Sequence, residues 1–182
     1  MGESPRAPWA IECVSILDTA QPDREASKDL ALSFIESQRV MTVAVCSTEG
    51  VPWAAPVFYV NQGFRLYWLT RPNSRLGAYL TANPRAAIAI LANGDKWSSM
   101  RGLQMEGIVS HVNAWTDFLG CARLFLGRFP ELAKGLLDSS AWQKASGVRF
   151  FQLDPDACWL TDHARGFGNR VELDLRDRPS RP

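Results

Sequence analysis

Two histidines, four scattered cysteines, one unit of net charge and no long apolar run set the first limits on this chain of 182 residues. The cysteines, Cys13, Cys46, Cys121 and Cys158, form no CxxC pair and have no paired histidine. That excludes a zinc ribbon or a dense disulfide scaffold and leaves buried free thiols in a reducing compartment as the expectation. Twenty basic residues against nineteen acidic give +1, so no broad field draws the protein onto nucleic acid or an anionic membrane. No apolar stretch approaches the ~18 residues of a membrane span. The N-terminal MGESPRAPWA lacks the basic-then-apolar pattern of a signal peptide. A soluble, cytoplasmic protein is expected. GxGxxG after a strand, GxxxxGK[ST], HExxH and GxSxG are all missing, so neither a recognisable catalytic triad nor a metal site is predicted.

What is present is ordinary globular material, 46% apolar and 21% charged, in a length that suits one domain. Residues 1–26, with Pro5, Pro8 and Pro22, read as an arm; 27–175 read as the domain and 176–182 as a tail. From Ser27 the pattern is helical, with Ala31, Phe34 and Ile35 on one face and Ser27 or Asp23 as caps. Strands are predicted at Arg39–Cys46, Val51–Val60 and Phe64–Leu69. They are separated by Thr48-Glu49-Gly50 and Asn61-Gln62-Gly63, loops of three with glycine last, as hairpins with a bulge require. A helix over Arg75–Asn83, strands at Ala86–Leu91 and Leu103–Val112, and a helical stretch Ala114–Asp138 broken at Phe129-Pro130 follow. Strands Val148–Leu153 and Ala157–Thr161 flank an Asp154-Pro155-Asp156 turn. The whole predicts a mainly β fold with helices, an antiparallel barrel of about seven strands.

Second-strand residues Trp53, Ala55, Val57 and Tyr59 alternate with Ala54, Pro56, Phe58 and Val60, and both sets are apolar. A strand solvated on one side alternates apolar with polar, so this one must be covered twice. The barrel interior covers one face, and helices or a second copy the other. A homodimer is expected.

Three segments carry candidate chemistry. In Thr70-Arg71-Pro72-Asn73-Ser74-Arg75 a strand ends and a helix begins, and a helix N-terminus with Ser74 as cap and Arg75 beside it suits a phosphate. The plain alternative is that Ser74 only caps the helix and the arginines face water. In Gly102–Gly107, Gln104 offers an amide that can read the polar edge of a flat heterocycle, unless the Gln-to-Gly spacing merely marks a bulge. In the third, Trp159 can cover a bound ring, with Gly166-Phe167-Gly168-Asn169-Arg170 just beyond it. His111 reads as a satisfied histidine at a strand end and His163 as a solvated turn residue.

The order of these pieces resembles the pyridoxamine 5′-phosphate oxidase-like family of FMN-binding split β-barrels, over about Asp29–Arg170. The resemblance is carried by DLALSFIESQRVMTVAV, TEGVPWAAPVFYV, FRLYWLTRPNSRLGAYLTANPRAAIAI, GLQMEG, Arg128-Phe129-Pro130 and WLTDHARGFGNR. It implies a homodimer with two equivalent FMN sites in the interface. It places the flavin-contacting strand on Ala55, Pro56, Val57 and Phe58, and the phosphate segment on Thr70, Ser74, Arg75 and Leu76, with Arg71 adjacent. Gln104 falls at the flavin edge and Trp159 at the C-terminal aromatic. Oxidase members carry Arg where Ala55 stands and Lys where Leu76 stands, and their Arg-rich ending has no match in VELDLRDRPSRP. The fold therefore carries over better than the pyridoxamine reaction. The resemblance implies a flavin-dependent oxidoreductase of a small-molecule substrate, with NADH or NADPH as electron donor and no named catalytic residue. The alternatives are a non-enzymatic protein that binds or senses flavin or haem, and a deazaflavin-dependent reductase.

Overall fold

The computed structural model describes residues 24–92, 96–131 and 147–175. Seven antiparallel strands run in the order β3-β2-β1-β4-β5-β6-β7, and β3 also pairs with β6, which closes six of them into a barrel. In chain order these are α1 (Arg24–Ser37), β1 (Val40–Cys46), β2 (Pro52–Gln62), β3 (Arg65–Thr70), α2 (Arg75–Ala82), β4 (Arg85–Leu91), β5 (Arg101–His111), α3 (Trp115–Arg128), β6 (Arg149–Asp162) and β7 (Arg170–Glu172). The expected β1–β3 meander is present. Gly50 takes φ +85° and Gly63 +58°, the left-handed values that such turns need. Gln62 pairs with Arg65, however, so the second hairpin closes over two residues, not three.

Two boundaries differ for physical reasons. The first helix starts at Arg24, so Ser27 is not its cap. It lies buried inside the helix, its hydroxyl oxygen 3.3 Å from a donating nitrogen of Arg165. The predicted turn at Asp154-Pro155-Asp156 is instead a bulge in the single long strand β6. Glu106 pairs with Ala157 and Gly107 with Pro155, leaving Asp156 as the extra residue. Proline, with no N–H to pair, fits such an irregularity. The two aspartates face ion partners: Arg65 Nε lies 2.5 Å from Asp154 and Arg85 Nη2 3.6 Å from Asp156. Gly107 is needed here, because a Cβ would stand 2.2 Å from the Asp154 carbonyl oxygen. The predicted helical stretch beyond Glu131 lies outside the described residues, as do 1–23 of the predicted arm and the tail 176–182.

The barrel interior is filled by alternate residues of each strand, with Met41, Val43, Leu66, Trp68, Ile90 and Leu103 all but inaccessible. The alternation then sends the other residues outward, and two different things happen to them. Over β2, β3 and β6, α3 lays Cys121, Phe125 and Phe129 on Val60, Tyr67 and Phe150. α3 is tied down at its C-terminal end by Arg128. Its guanidinium donates to the carbonyls of Ile35 (3.0 Å), Glu36 (2.7 Å) and Gln38, and to Asn61 (3.1 Å). α1 has no basic residue in its last turn, so Arg128 supplies the positive charge that a helix C-terminus favours. The Arg128-Phe129-Pro130 segment is thus a clasp between two helices.

Over β2, β1, β4 and β5 no element of the described chain lies. The register aligns Pro56, Thr42, Ala89, Gln104 and Trp159 in one cross-strand row, and Ala54, Ala44, Ala87, Glu106 and Ala157 in the next. Ala44, Ala54, Ala87, Thr42 and Pro56 are exposed, and Phe58 is 61% exposed beside them. The result is a flat floor of small side chains bordered by a large apolar one.

Candidate functional site

The helix start expected to hold an anion forms as a tight structure. Ser74 caps α2: its Oγ donates to the Arg71 carbonyl (2.7 Å) and accepts from the Gly77 N–H (3.1 Å). Its single proton is thereby used, so at 3.2 Å it is the Thr70 hydroxyl that donates to Ser74. Both hydroxyls are committed to the cap, and the N–H groups of Arg75 and Leu76 are left by position without an intrahelical acceptor. Gly77 went unnoticed in the sequence, yet a Cβ there would meet the Arg71 carbonyl at 2.2 Å and Pro72 Cα at 2.8 Å. The only local signal was a glycine three residues after a cap, where the turn must fold close over the helix.

Arg75 is exposed, and its guanidinium carbon stands 4.5 Å from the Trp53 ring centroid and 5.9 Å from that of Tyr79. Stacking orients the planar cation and leaves its N–H edge available to oxygens. Leu76 is buried in the core, at 4% exposure, which accounts for an apolar residue where the oxidases carry lysine. Ala55 and Val57 likewise pack against the core, so the outward side chains of this strand are Pro56 and Phe58. Arg71 is exposed in the turn.

Gln104 lies elsewhere. It projects from β5 on the uncovered face, with Ala89 opposite on one side and Trp159 on the other. Trp159 is half-buried, and the guanidinium of Arg170 lies 4.9 Å over its ring. β7 delivers Arg170 by pairing Thr161 with it. That strand has three residues, too short for periodicity to reveal.

The predicted site residues therefore fall into two groups. Pro56, Phe58, Thr70, Arg71, Ser74 and Arg75 belong to β2, β3 and the start of α2. Gln104 and Trp159 belong to β5 and β6. Pro56 and Gln104 share a cross-strand row of the uncovered face with Thr42 and Ala89 between them, whereas Ser74 and Arg75 stand at the start of α2, beyond the end of β3. Along the sheet the gap from β2 to β5 is roughly 14 Å at ~4.8 Å per strand.

The histidines do not join either group. His111 is half-buried against the Phe151 ring, at 4.3 Å between centroids. His163, expected to be solvated, sits in the short 3-10 turn His163–Arg165 and contacts Trp97 and Phe167. The turn is anchored by buried Asp162, which accepts from Ala164 N–H (3.2 Å) and Arg101 (3.0 Å). Cys121 and Cys158 are free and buried, and burial pushes their thiols up to about 11 and about 12, with Asp117 adding to the effect at Cys121. Neither is a thiolate nucleophile near neutral pH. A cleft of about 1420 Å³ runs between α3, the end of α1 and the sheet, lined by residues such as Arg39, Tyr67, Asp117, Arg123 and Gln152. None of the predicted site residues borders it.

No helix of the described residues is long and apolar enough to cross a membrane. A search of curated protein sequences found no match. Among solved structures the chain is similar to a haem-binding protein from Mycobacterium smegmatis, with a TM-score of 0.65 and 19% identity over 85% of this chain. It spans 59% of that protein's length. It is also similar to HutZ, the haem storage protein of Vibrio cholerae (TM-score 0.58, 17% identity, 70% of this chain and 89% of that one). A third is a putative pyridoxamine 5′-phosphate oxidase from Listeria innocua (TM-score 0.58, 15% identity, 75% of this chain and 98% of that one). At these identities the likeness is one of fold, a split barrel. The family description for pyridoxamine 5′-phosphate oxidase matches residues 27–162, most of the chain and all six barrel strands. On that match the protein belongs to the pyridoxamine 5′-phosphate oxidase family.

Proposed function

We propose that the protein is an FMN-binding homodimer, an oxidoreductase of a small molecule, in which each flavin is shared between two chains. The observation that carries this reading is the division of the site. One chain offers an anion-binding helix start with Arg75 beyond the end of β3, and a ring-reading pair, Gln104 and Trp159, out on β5 and β6. Neither half alone accommodates a phosphate and a flat ring together. A second copy laid on the uncovered alanine-rich face brings its own helix start toward the first copy's Gln104.

The residues fit the cofactor at both ends. The α2 N–H groups and Arg75, with Arg71 nearby, would take the phosphate, and the core position of Leu76 accounts for the loss of one family cation. Gln104 would donate its amide to the carbonyl edge of the ring, with Trp159 and the cation of Arg170 close by. When bound, FMN supplies the hydride and electron chemistry, with NADH or NADPH as donor. The chain's part is to place the ring, exclude water and hold charge at its edge. No general base is required of it. A cytoplasmic setting suits the free buried thiols.

The test uses complementation between two damaged chains. Arg75→Ala and Trp159→Ala homodimers should each bind FMN weakly. In a mixed dimer one site carries both defects and the other none, so half of the sites should regain wild-type affinity. If each flavin belonged to one chain, every site would keep one defect and no affinity would return.

A second reading, a haem-binding protein, is favoured by one feature. His163 presents a ring nitrogen with no partner among the described residues, beside exposed aromatic rings.

A further inference from the structure

His163 Nδ1 lies 3.1 Å from the carbonyl oxygen of Trp97. A carbonyl only accepts, so Nδ1 carries the proton and Nε2 holds the lone pair. The backbone is fixed as well, since the His163 N–H donates to the Met100 carbonyl at 3.0 Å. Rings flank the imidazole, with centroids 5.9 Å away for Trp97 and 5.6 Å for Phe167, and those two meet at 5.5 Å. Trp97 is 66% exposed and Phe167 83% exposed. Large apolar rings left in water around one oriented imidazole need an explanation beyond folding.

Metal-ligating histidines commonly donate their second nitrogen to a backbone carbonyl, which sets the tautomer and aims the lone pair. A bare ion would lack ligands here, because the described residues hold no group of three His, Cys, Asp or Glu suited to one. A metal that brings its own equatorial ligands needs only one. Such a group is flat and largely apolar, which matches the exposed faces of Trp97 and Phe167. Its carboxylates would find Arg165, whose side chain is 39% exposed on the same turn.

We propose that His163 is the axial ligand of an iron porphyrin seated against Trp97 and Phe167, at the barrel end and apart from Gln104. This rests on the haem-binding reading and adds the place and the ligand. The test titrates the full-length protein with ferric protoporphyrin IX and follows the Soret band. The wild type should saturate at one per chain with a band shifted from that of the free porphyrin. His163→Ala should weaken binding at least about tenfold, and added imidazole should restore the wild-type spectrum to His163→Gly. His111→Ala should change nothing. Phe167→Ser, at a position too exposed to matter for folding, should also weaken binding, and it decides the matter if the His163 variants fail to fold. A wild type that does not saturate overturns both the haem reading and this site. A wild type that saturates while His163→Ala or Phe167→Ser binds unchanged overturns the site alone.

Discussion

The barrel wears two different coats. On β2, β3 and β6 the outward residues are large, Val60, Tyr67 and Phe150, and the chain covers them with its own α3. On β2, β1, β4 and β5 they are mostly small, Ala54, Ala44, Ala87 and Thr42, and the described chain leaves them bare. Large side chains interdigitate with a helix, whereas small ones let another backbone approach closely. Apolar alternation on both sides of β2 says that two covers are needed. The size of the residues says which is intramolecular and which is not.

Placing a charge in the bare face should break the comparison most severely. Ala44→Arg would put an unpaired cation in the interface from both copies, and each buried ion costs several kcal/mol. The expected result is a folded monomer in sedimentation, with native circular dichroism and no tight FMN. Phe125→Ala strikes the covered face instead. It should lower folding stability by about 3–5 kcal/mol in chemical denaturation and leave the native protein a dimer. A dimer lost in Phe125→Ala, or kept in Ala44→Arg, would show that the two faces have been assigned the wrong way round.

Smaller effects distinguish the two ends of the proposed flavin site. Arg75→Ala removes one charge-assisted contact, worth about 1.5–3 kcal/mol. FMN binding should weaken about ten- to a hundredfold and riboflavin binding hardly at all. Equal losses for both, read by flavin fluorescence, would mean that Arg75 serves only to pack on Trp53. Gln104→Glu puts an acceptor-only, negative group at the ring edge. It should lower the reduction potential by tens of millivolts, where 30 mV is about 1.4 kcal/mol for two electrons. An unchanged or raised potential would remove Gln104 from the flavin's anionic edge.

Much of this architecture was legible in the sequence. Glycines at Gly50 and Gly63 announced the hairpins, apolar alternation announced the barrel, and Ser74 was correctly read as a cap. Misreadings arose where local chemistry pointed one way and long-range pairing another. Asp154-Pro155-Asp156 has the composition of a turn, but Gly107 on the neighbouring strand makes room for a bulge. His163 stays partly exposed in its turn, as the polar stretch suggests, and only its contact with Trp97, sixty-six residues earlier, was hidden. Nothing local to Gln104 or Ser74 could reveal that three strand spacings separate β2 from β5. The site was legible as two halves. Their separation required the fold.

A flavin site built from two chains ties FMN to the dimer. Sedimentation velocity on the protein loaded with FMN, followed at the flavin's own visible absorbance, reads this link. All bound flavin should move with a dimer at two FMN per dimer, and dilution to monomer should release it. Flavin travelling tightly bound on a monomer would mean that one chain suffices.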